Sequence, residues 1–163
     1  MKVVVTGCTG FIGSHLIPAL ANAGYDTLGT VEPDDKNDAV AVELFPVDVC
    51  TGNGLTTAFQ GADAVVQLAA RNHVLKETAK DPLSEYRRVN VEGTRNVVRA
   101  AREQGVGLFV HVSSIKAMGE GTGDILDETA PCLPSTPYGI SKLESEEVVR
   151  AEADGTGMAV VIF

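Results

Sequence analysis

Two groups of residues in this 163-residue chain have the types and spacing to do chemistry. In Tyr138-Gly139-Ile140-Ser141-Lys142, Tyr and Lys stand four apart, which on a helix puts them on one face. An ammonium held near a phenol stabilises the phenolate, and the pair becomes a usable general acid or base. In Thr6-Gly7-Cys8-Thr9-Gly10-Phe11-Ile12-Gly13 the glycines are spaced GxxGxxG between an apolar strand-like run and a helical pattern. In that context a pyrophosphate can sit on free backbone N–H groups at a helix N-terminus. Gly7 and Gly10 permit the tight turn and the close backbone approach, Phe11 and Ile12 open the helix, and Gly13 lets it pack on the strand. A tight turn without ligand is the alternative reading.

Two further positions belong with these. Glu32 lies 19 residues after Gly13, at the end of the second strand-like run. A carboxylate there accepts from the adenosine ribose hydroxyls of NAD and repels a 2′-phosphate, so NAD is expected in preference to NADP. The alternative is a solvated acidic loop residue, since Asp34 and Asp35 follow. Ser113-Ser114 leave the fifth run at its C-terminal end, where open α/β sheets place ligands. A hydroxyl there can hydrogen-bond the reacting oxygen.

The elements that must position these groups alternate in type. Strands are expected at Lys2–Thr6, Asp26–Val31, Val40–Val47, Ala64–Ala69, Leu108–Val112 and Met158–Phe163. Helices are expected at Phe11–Ala23, bent by Pro18, and at Thr51–Gln60. A longer helix opens at Asp81-Pro82 and ends at Gly105, and another runs from Thr136-Pro137 to about Asp154. Pro33–Ala39 and Gly119–Pro134 read as loops. Strands alternating with helices imply βαβ units and a parallel sheet. The fold class is therefore α/β, a Rossmann-like doubly wound sheet of about six strands in the order 3-2-1-4-5-6, with one domain over residues 1–163.

Composition narrows the partners. Apolar residues make up 44% of the chain, and no apolar run is long enough to span a bilayer. A formal charge of −9 argues against nucleic acid or an anionic membrane surface. Cys8, Cys50 and Cys132 form neither a CxxC metal pattern nor a disulfide framework, so no metal is expected. With no signal-peptide pattern at the N-terminus, the cysteine usage fits a reducing cytoplasm.

TGCTGFIG, Ser113-Ser114 and YGISK, in that order, resemble the extended short-chain dehydrogenase/reductases, also called the NAD-dependent epimerase/dehydratase family. The resemblance covers residues 1–163 but only the N-terminal part of a family member, so the expectation is the cofactor domain without its substrate domain. It implies adenine contacts at Asp48-Val49 and cofactor contacts at Leu68-Ala69-Ala70, Asn90, Ser113, Tyr138 and Lys142. Asn90 lies on a mostly small or apolar stripe with Leu83, Tyr86, Gly93, Val97 and Ala101, so its amide needs a partner, either near the active site or within the structure. Within the family, Ala69–Val74 and Ser113–Lys116 look most like bacterial sugar-nucleotide 4-epimerases and 4-ketoreductases of surface-polysaccharide clusters. Sugar-nucleotide 4,6-dehydratases carry an Asp-Glu pair after the serine/threonine position, where this chain has Ile115-Lys116.

The catalytic roles implied are proton transfer by Tyr138, orientation of the sugar oxygen by Ser114, and a hold on the nicotinamide ribose by Lys142. The expected ligands are NAD and a nucleotide sugar, and the family's habit of pairing its two long helices implies a homodimer. A non-catalytic dinucleotide-sensing module is the competing reading, against which stands the retention of Ser114, Tyr138 and Lys142 together. His73 is placed in a loop after the fourth strand, and His15 and His111 are read as structural.

Overall fold

A computed structural model describes residues 1–35, 42–72, 78–121, 127 and 129–163. Six parallel strands form one sheet: β1 (Lys2–Thr6), β2 (Asp26–Val31), β3 (Glu43–Pro46), β4 (Ala64–Gln67), β5 (Leu108–His111) and β6 (Ala159–Ile162). Their spatial order is β3-β2-β1-β4-β5-β6, the doubly wound arrangement expected. The order reverses between β1 and β4, which opens a crevice at the carboxyl ends of those strands.

The apolar continuity of β1 has its reason in the layers. Val3 and Val5 pack with Ile17 of α1 (Phe11–Asn22) on one face. Val4 packs on the other face with Phe59, Val97, Phe109 and Val149. Burying each such side chain contributes roughly 1.5–3 kcal/mol. The second layer is built from α2 (Leu55–Ala58), α4 (Gly93–Glu103) and α5 (Pro137–Ala153).

Several boundaries differ from expectation for local reasons. The third strand is confined to Glu43–Pro46, the sheet edge that tolerates a proline, and residues 36–41 lie outside the described residues. The fourth strand ends at Gln67 because the chain beyond it leaves the ladder, the Ala69 N–H bonding the Thr6 hydroxyl at 3.2 Å. The helix expected over Thr51–Gln60 shrinks to α2, since Gly52 and Gly54 take positive φ (80° and 86°) in the preceding turn. α1 runs through Pro18 without interruption.

The largest difference is in the helix expected from 81 to 105. It consists of α3 (Pro82–Tyr86), a π-helical segment Arg87–Glu92, and α4. Such widened turns occur mostly as single insertions, often at functional sites. The expected caps are present: the Asp81 carboxylate accepts from the Ser84 N–H at 3.1 Å, and the Thr136 hydroxyl accepts from the Gly139 N–H at 3.2 Å. α4 and α5 lie side by side, joined where Arg95, Arg99 and Arg102 approach Glu152 at 3.3, 2.7 and 3.4 Å.

Candidate active site

The glycine turn connects β1 to α1 at the crevice. Gly7 has a φ of 66°, a conformation that glycine adopts without strain. Gly10 is the N-cap of α1 and supplies no side-chain cap, and the first turn carries no acidic residue. The opening N–H groups of this 12-residue helix therefore face outward with the positive end of the helix dipole, suited to an anionic group. A Cβ on Gly10 would meet only Gly7 O, at 3.3 Å, so its bareness serves the open side rather than protein packing. The Thr9 hydroxyl donates to Asp35 at 2.7 Å and ties the turn to the chain after β2.

This turn forms one wall of a cavity of about 600 Å³, within the range of small-molecule and cofactor sites. Gly7, Gly10, Glu32, Asp48, Val49, Leu68, Ala69 and Ala70 all line it. Asp48 is held in shape by its own turn, accepting from the Thr51 hydroxyl at 2.9 Å and the Cys50 N–H at 2.8 Å. The Thr51 hydroxyl, followed by these backbone donors, holds its carboxyl below the usual carboxylate range, against the effect of desolvation.

The other candidate contact residues near the turn have these surroundings. Gly13 is buried against the strand: a Cβ there would lie 2.6 Å from Cys8 Cα, so it allows packing and does not line the cavity. Phe11 and Ile12 are exposed, and what they offer is first-turn backbone rather than side chain. Asn90 is fully buried within the π-helical segment. Its amide accepts from the Arg71 N–H at 2.8 Å and donates to Arg71 O and Ser141 Oγ at 3.1 and 3.0 Å. It fastens the loop after β4 to α5, and the wide π turn is what aims it there.

Ser114 stands at the turn after β5, and Tyr138 and Lys142 lie on α5, which packs against that turn. The Lys142 ammonium is buried and donates to Val112 O at 2.8 Å. Burial pulls its pKa down to about 8, with Glu146 acting in the opposite sense, so it is mostly protonated at neutral pH. The Tyr138 ring meets Tyr86 edge-on, centroids 5.9 Å apart, and the Arg71 guanidinium lies over the Tyr86 ring, 5.2 Å from its centroid. Arg71 also lines the cavity, so this stack links the cavity wall to Tyr138. The Ser114 hydroxyl accepts from the Lys116 N–H at 3.2 Å, which leaves its own O–H to donate. A Cβ on Gly139 would lie 2.4 Å from Lys116 O, so only glycine lets the start of α5 press on the Ser114 turn.

Ser113 has a protein partner. Its hydroxyl donates to Glu146 of α5. His111 is structural as expected, and its surroundings were not visible in the sequence. Gln67 Nε2 donates to Thr94 at 2.8 Å, leaving Gln67 Oε1 to accept from His111 Nδ1 at 3.2 Å, while Ser145 lies 3.0 Å from Nε2. Burial first, then the charges of Lys142 and Arg150, depress the His111 pKa to about 3. Sequence reasoning assigns no role to Arg71, Tyr86, Gln67 or Glu146, although Tyr86 stands on the Asn90 stripe and Arg71 falls within Ala69–Val74. His73 lies outside the described residues.

Fold and site together define the short-chain dehydrogenase/reductase class of Rossmann-like domain. A family model described as NAD dependent epimerase/dehydratase family matches residues 3–163, and the chain belongs to this enzyme family. It is 35% identical, over 99% of its length, to a UDP-glucose 4-epimerase of Vibrio cholerae, covering 50% of that protein. It is 31% identical, over 99% of its length, to a dTDP-glucose 4,6-dehydratase of Neisseria meningitidis serogroup B, covering 51% of that protein. The solved UDP-glucose 4-epimerase of Thermus thermophilus, in complex with NAD, matches with a TM-score of 0.87 and 29% identity over 99% of this chain and 54% of that one. A Bacillus cereus UDP-glucuronic acid 4-epimerase bound to UDP-glucuronic acid and NAD matches with a TM-score of 0.83 and 28% identity, over 99% and 55% of the two chains. The chain spans about half the length of the curated relatives it matches. No helix among the described residues is long and apolar enough to cross a membrane.

Proposed function

We propose that this chain supplies the NAD-binding and catalytic part of a nucleotide-sugar 4-epimerase. The observation that carries the reading is the pairing of two features in one sheet. An uncapped helix N-terminus opens on the cavity at the β1/β4 reversal, and the turn after β5 that carries Ser114 packs against α5, which carries Tyr138 and Lys142. The cavity's residues fit NAD: bare N–H groups for the pyrophosphate, the Glu32 carboxylate for the adenosine ribose, and Asp48-Val49 beside the adenine. The chemistry that NAD supplies when bound is reversible hydride transfer at C4 of the sugar.

Tyr138 receives the proton of the C4 hydroxyl and gives it back, Ser114 donates to the reacting oxygen, and the Lys142 ammonium favours the phenolate. Elimination chemistry is disfavoured at the Ser114 turn, where Ile115 is exposed and Lys116 is ion-paired with Glu120. The test is turnover of UDP-glucose, UDP-galactose and their N-acetyl forms with NAD. Interconversion of a C4 pair supports the epimerase. Reduction of a 4-keto sugar without interconversion would make the protein a 4-ketoreductase using the same residues.

Cofactor choice follows from Glu32. NAD is expected to bind more tightly than NADP, and Glu32→Ala to narrow the gap by about tenfold, equivalent to roughly 1.4 kcal/mol. Calorimetry with both cofactors checks it, and equal affinities in the unaltered protein would remove Glu32 from the site.

We further propose a homodimer formed through the α3–α4 and α5 helices. Its support is that these helices lie side by side and carry the half-buried Leu83, Ile140 and Leu143. Sedimentation at micromolar concentration should show a dimer; a monomer at every concentration counts against it.

A further inference from the structure

We propose that Glu146 is a positioning residue of this site: through Ser113 it holds the chain leaving β5, and with it the Ser114 hydroxyl, in place against Tyr138 and Lys142. The inference rests on the catalytic assignment of those three residues made above.

Glu146 stands one helical spacing beyond Lys142 and two beyond Tyr138, so all three project from one side of α5. Its carboxylate is largely buried, with a side-chain exposure of 14%, and its two oxygens have separate partners. Oε1 accepts from the Ser113 hydroxyl, and Oε2 pairs with Arg150 at 3.0 Å. Arg150 thus orients the carboxylate from the solvent side while the inner oxygen reaches the strand exit.

The segment 112–116 touches α5 at three points. Lys142 reaches Val112 O, Glu146 accepts from Ser113, and Gly139 abuts Lys116 O. Ser114 lies between the last two. The Lys142 contact uses a residue that the reaction itself engages, and the Gly139 contact only limits approach. The Ser113–Glu146 bond is an attractive side-chain tie to α5 that is independent of the catalytic groups, while the Ser113 N–H donates separately to Phe163 O at 2.6 Å. Without it the turn carrying Ser114 is held less firmly against α5, and displacements near 1 Å can cost up to about 10²-fold in rate.

The experiment compares Glu146→Ala, Ser113→Ala, the double variant and Glu146→Gln in the active protein, with NAD and UDP-galactose as probes. Each single alanine variant should lower kcat about tenfold and leave the NAD dissociation constant and the KM for UDP-galactose within about threefold. The double variant should be no worse than either single one, because both remove the same bond. Glu146→Gln keeps an acceptor for Ser113 and should recover most of kcat. Amide hydrogen exchange at residues 112–117 should quicken in both alanine variants, a readout that needs no substrate and that Ser113→Ala supplies even if Glu146→Ala fails to fold. Unchanged exchange, additive losses, or a Gln variant as slow as the Ala variant would overturn the proposal. Tyr138→Phe in the same preparation separates the failures. If Tyr138→Phe is inactive and Glu146→Ala turns over normally, Glu146 alone is misassigned. Full turnover by Tyr138→Phe removes the catalytic assignment and this inference with it.

Discussion

Replacing Tyr138 by Phe is expected to lower turnover of the nucleotide sugar by about 10²–10⁴-fold, the usual contribution of a general acid–base group. NAD affinity should stay nearly unchanged. The reason is the way the residue is held. The ring rests edge-on against Tyr86, and Phe preserves that contact. The helix start is fixed by the Thr136 cap and by the close fit of Gly139 on Lys116, neither of which involves the phenol oxygen. The residues lining the NAD cavity do not include Tyr138, so the substitution leaves that wall intact. Lys142→Met should behave differently and lower both kcat and NAD affinity, since it removes the proposed hold on the nicotinamide ribose as well as the buried cation that favours the phenolate. Steady-state kinetics with UDP-galactose and calorimetry with NAD provide the two readouts. Near wild-type turnover for Tyr138→Phe would mean that another group moves the proton.

The second large effect concerns acid. His111 titrates near 3 in the folded protein, against 6.5 for an ordinary histidine, because it is buried beside the positive charges of Lys142 and Arg150. Below pH 6.5 the unfolded chain binds a proton at this residue that the folded chain refuses, so stability falls as pH drops. The contribution is fully present above pH 6.5 and is lost by about pH 3, a span worth roughly 5 kcal/mol in all and about 3 kcal/mol by pH 4. That is a large share of the 5–15 kcal/mol typical of a folded domain. Denaturant unfolding at pH 7 and pH 4 should show the loss, and His111→Gln should remove most of its pH dependence while lowering stability at pH 7. A variant with the same acid sensitivity as the parent would place the responsible group elsewhere.

Much of the architecture is written in local patterns. The alternation of apolar runs with capped helices implies six parallel strands, and the strand order follows from rules of connection rather than from any particular contact. Asp81 and Thr136 announce helix starts because the cap bonds reach only three residues along the chain. GxxGxxG between a strand and a helix locates the uncapped helix N-terminus for the same reason: its geometry is backbone geometry within a single turn of chain. The YxxxK spacing puts Tyr138 and Lys142 on one face of α5 through helix geometry alone.

What the sequence leaves open is the partner each face meets. Periodicity shows that Asn90 points inward, but not that a π turn aims its amide at Arg71 and Ser141. The pair Ser113-Ser114 marks the strand exit, yet only the packing of α5 on β5 turns the Ser113 hydroxyl toward Glu146, while the Ser114 hydroxyl accepts from the Lys116 N–H. Lys142 can be placed on the Tyr138 face of α5 from its spacing. Its burial, and so its pKa near 8, depends on the elements around it. His111 shows the same division, a lone histidine in a strand whose neighbours Gln67 and Ser145 come from sequence 44 and 34 residues away. Local spacing fixes which side of its own element a residue occupies, because bond geometry is set within one or two turns. Desolvation, hydrogen-bond choice and close approach are set by atoms from other elements, and these come together only when the sheet and its helices have packed.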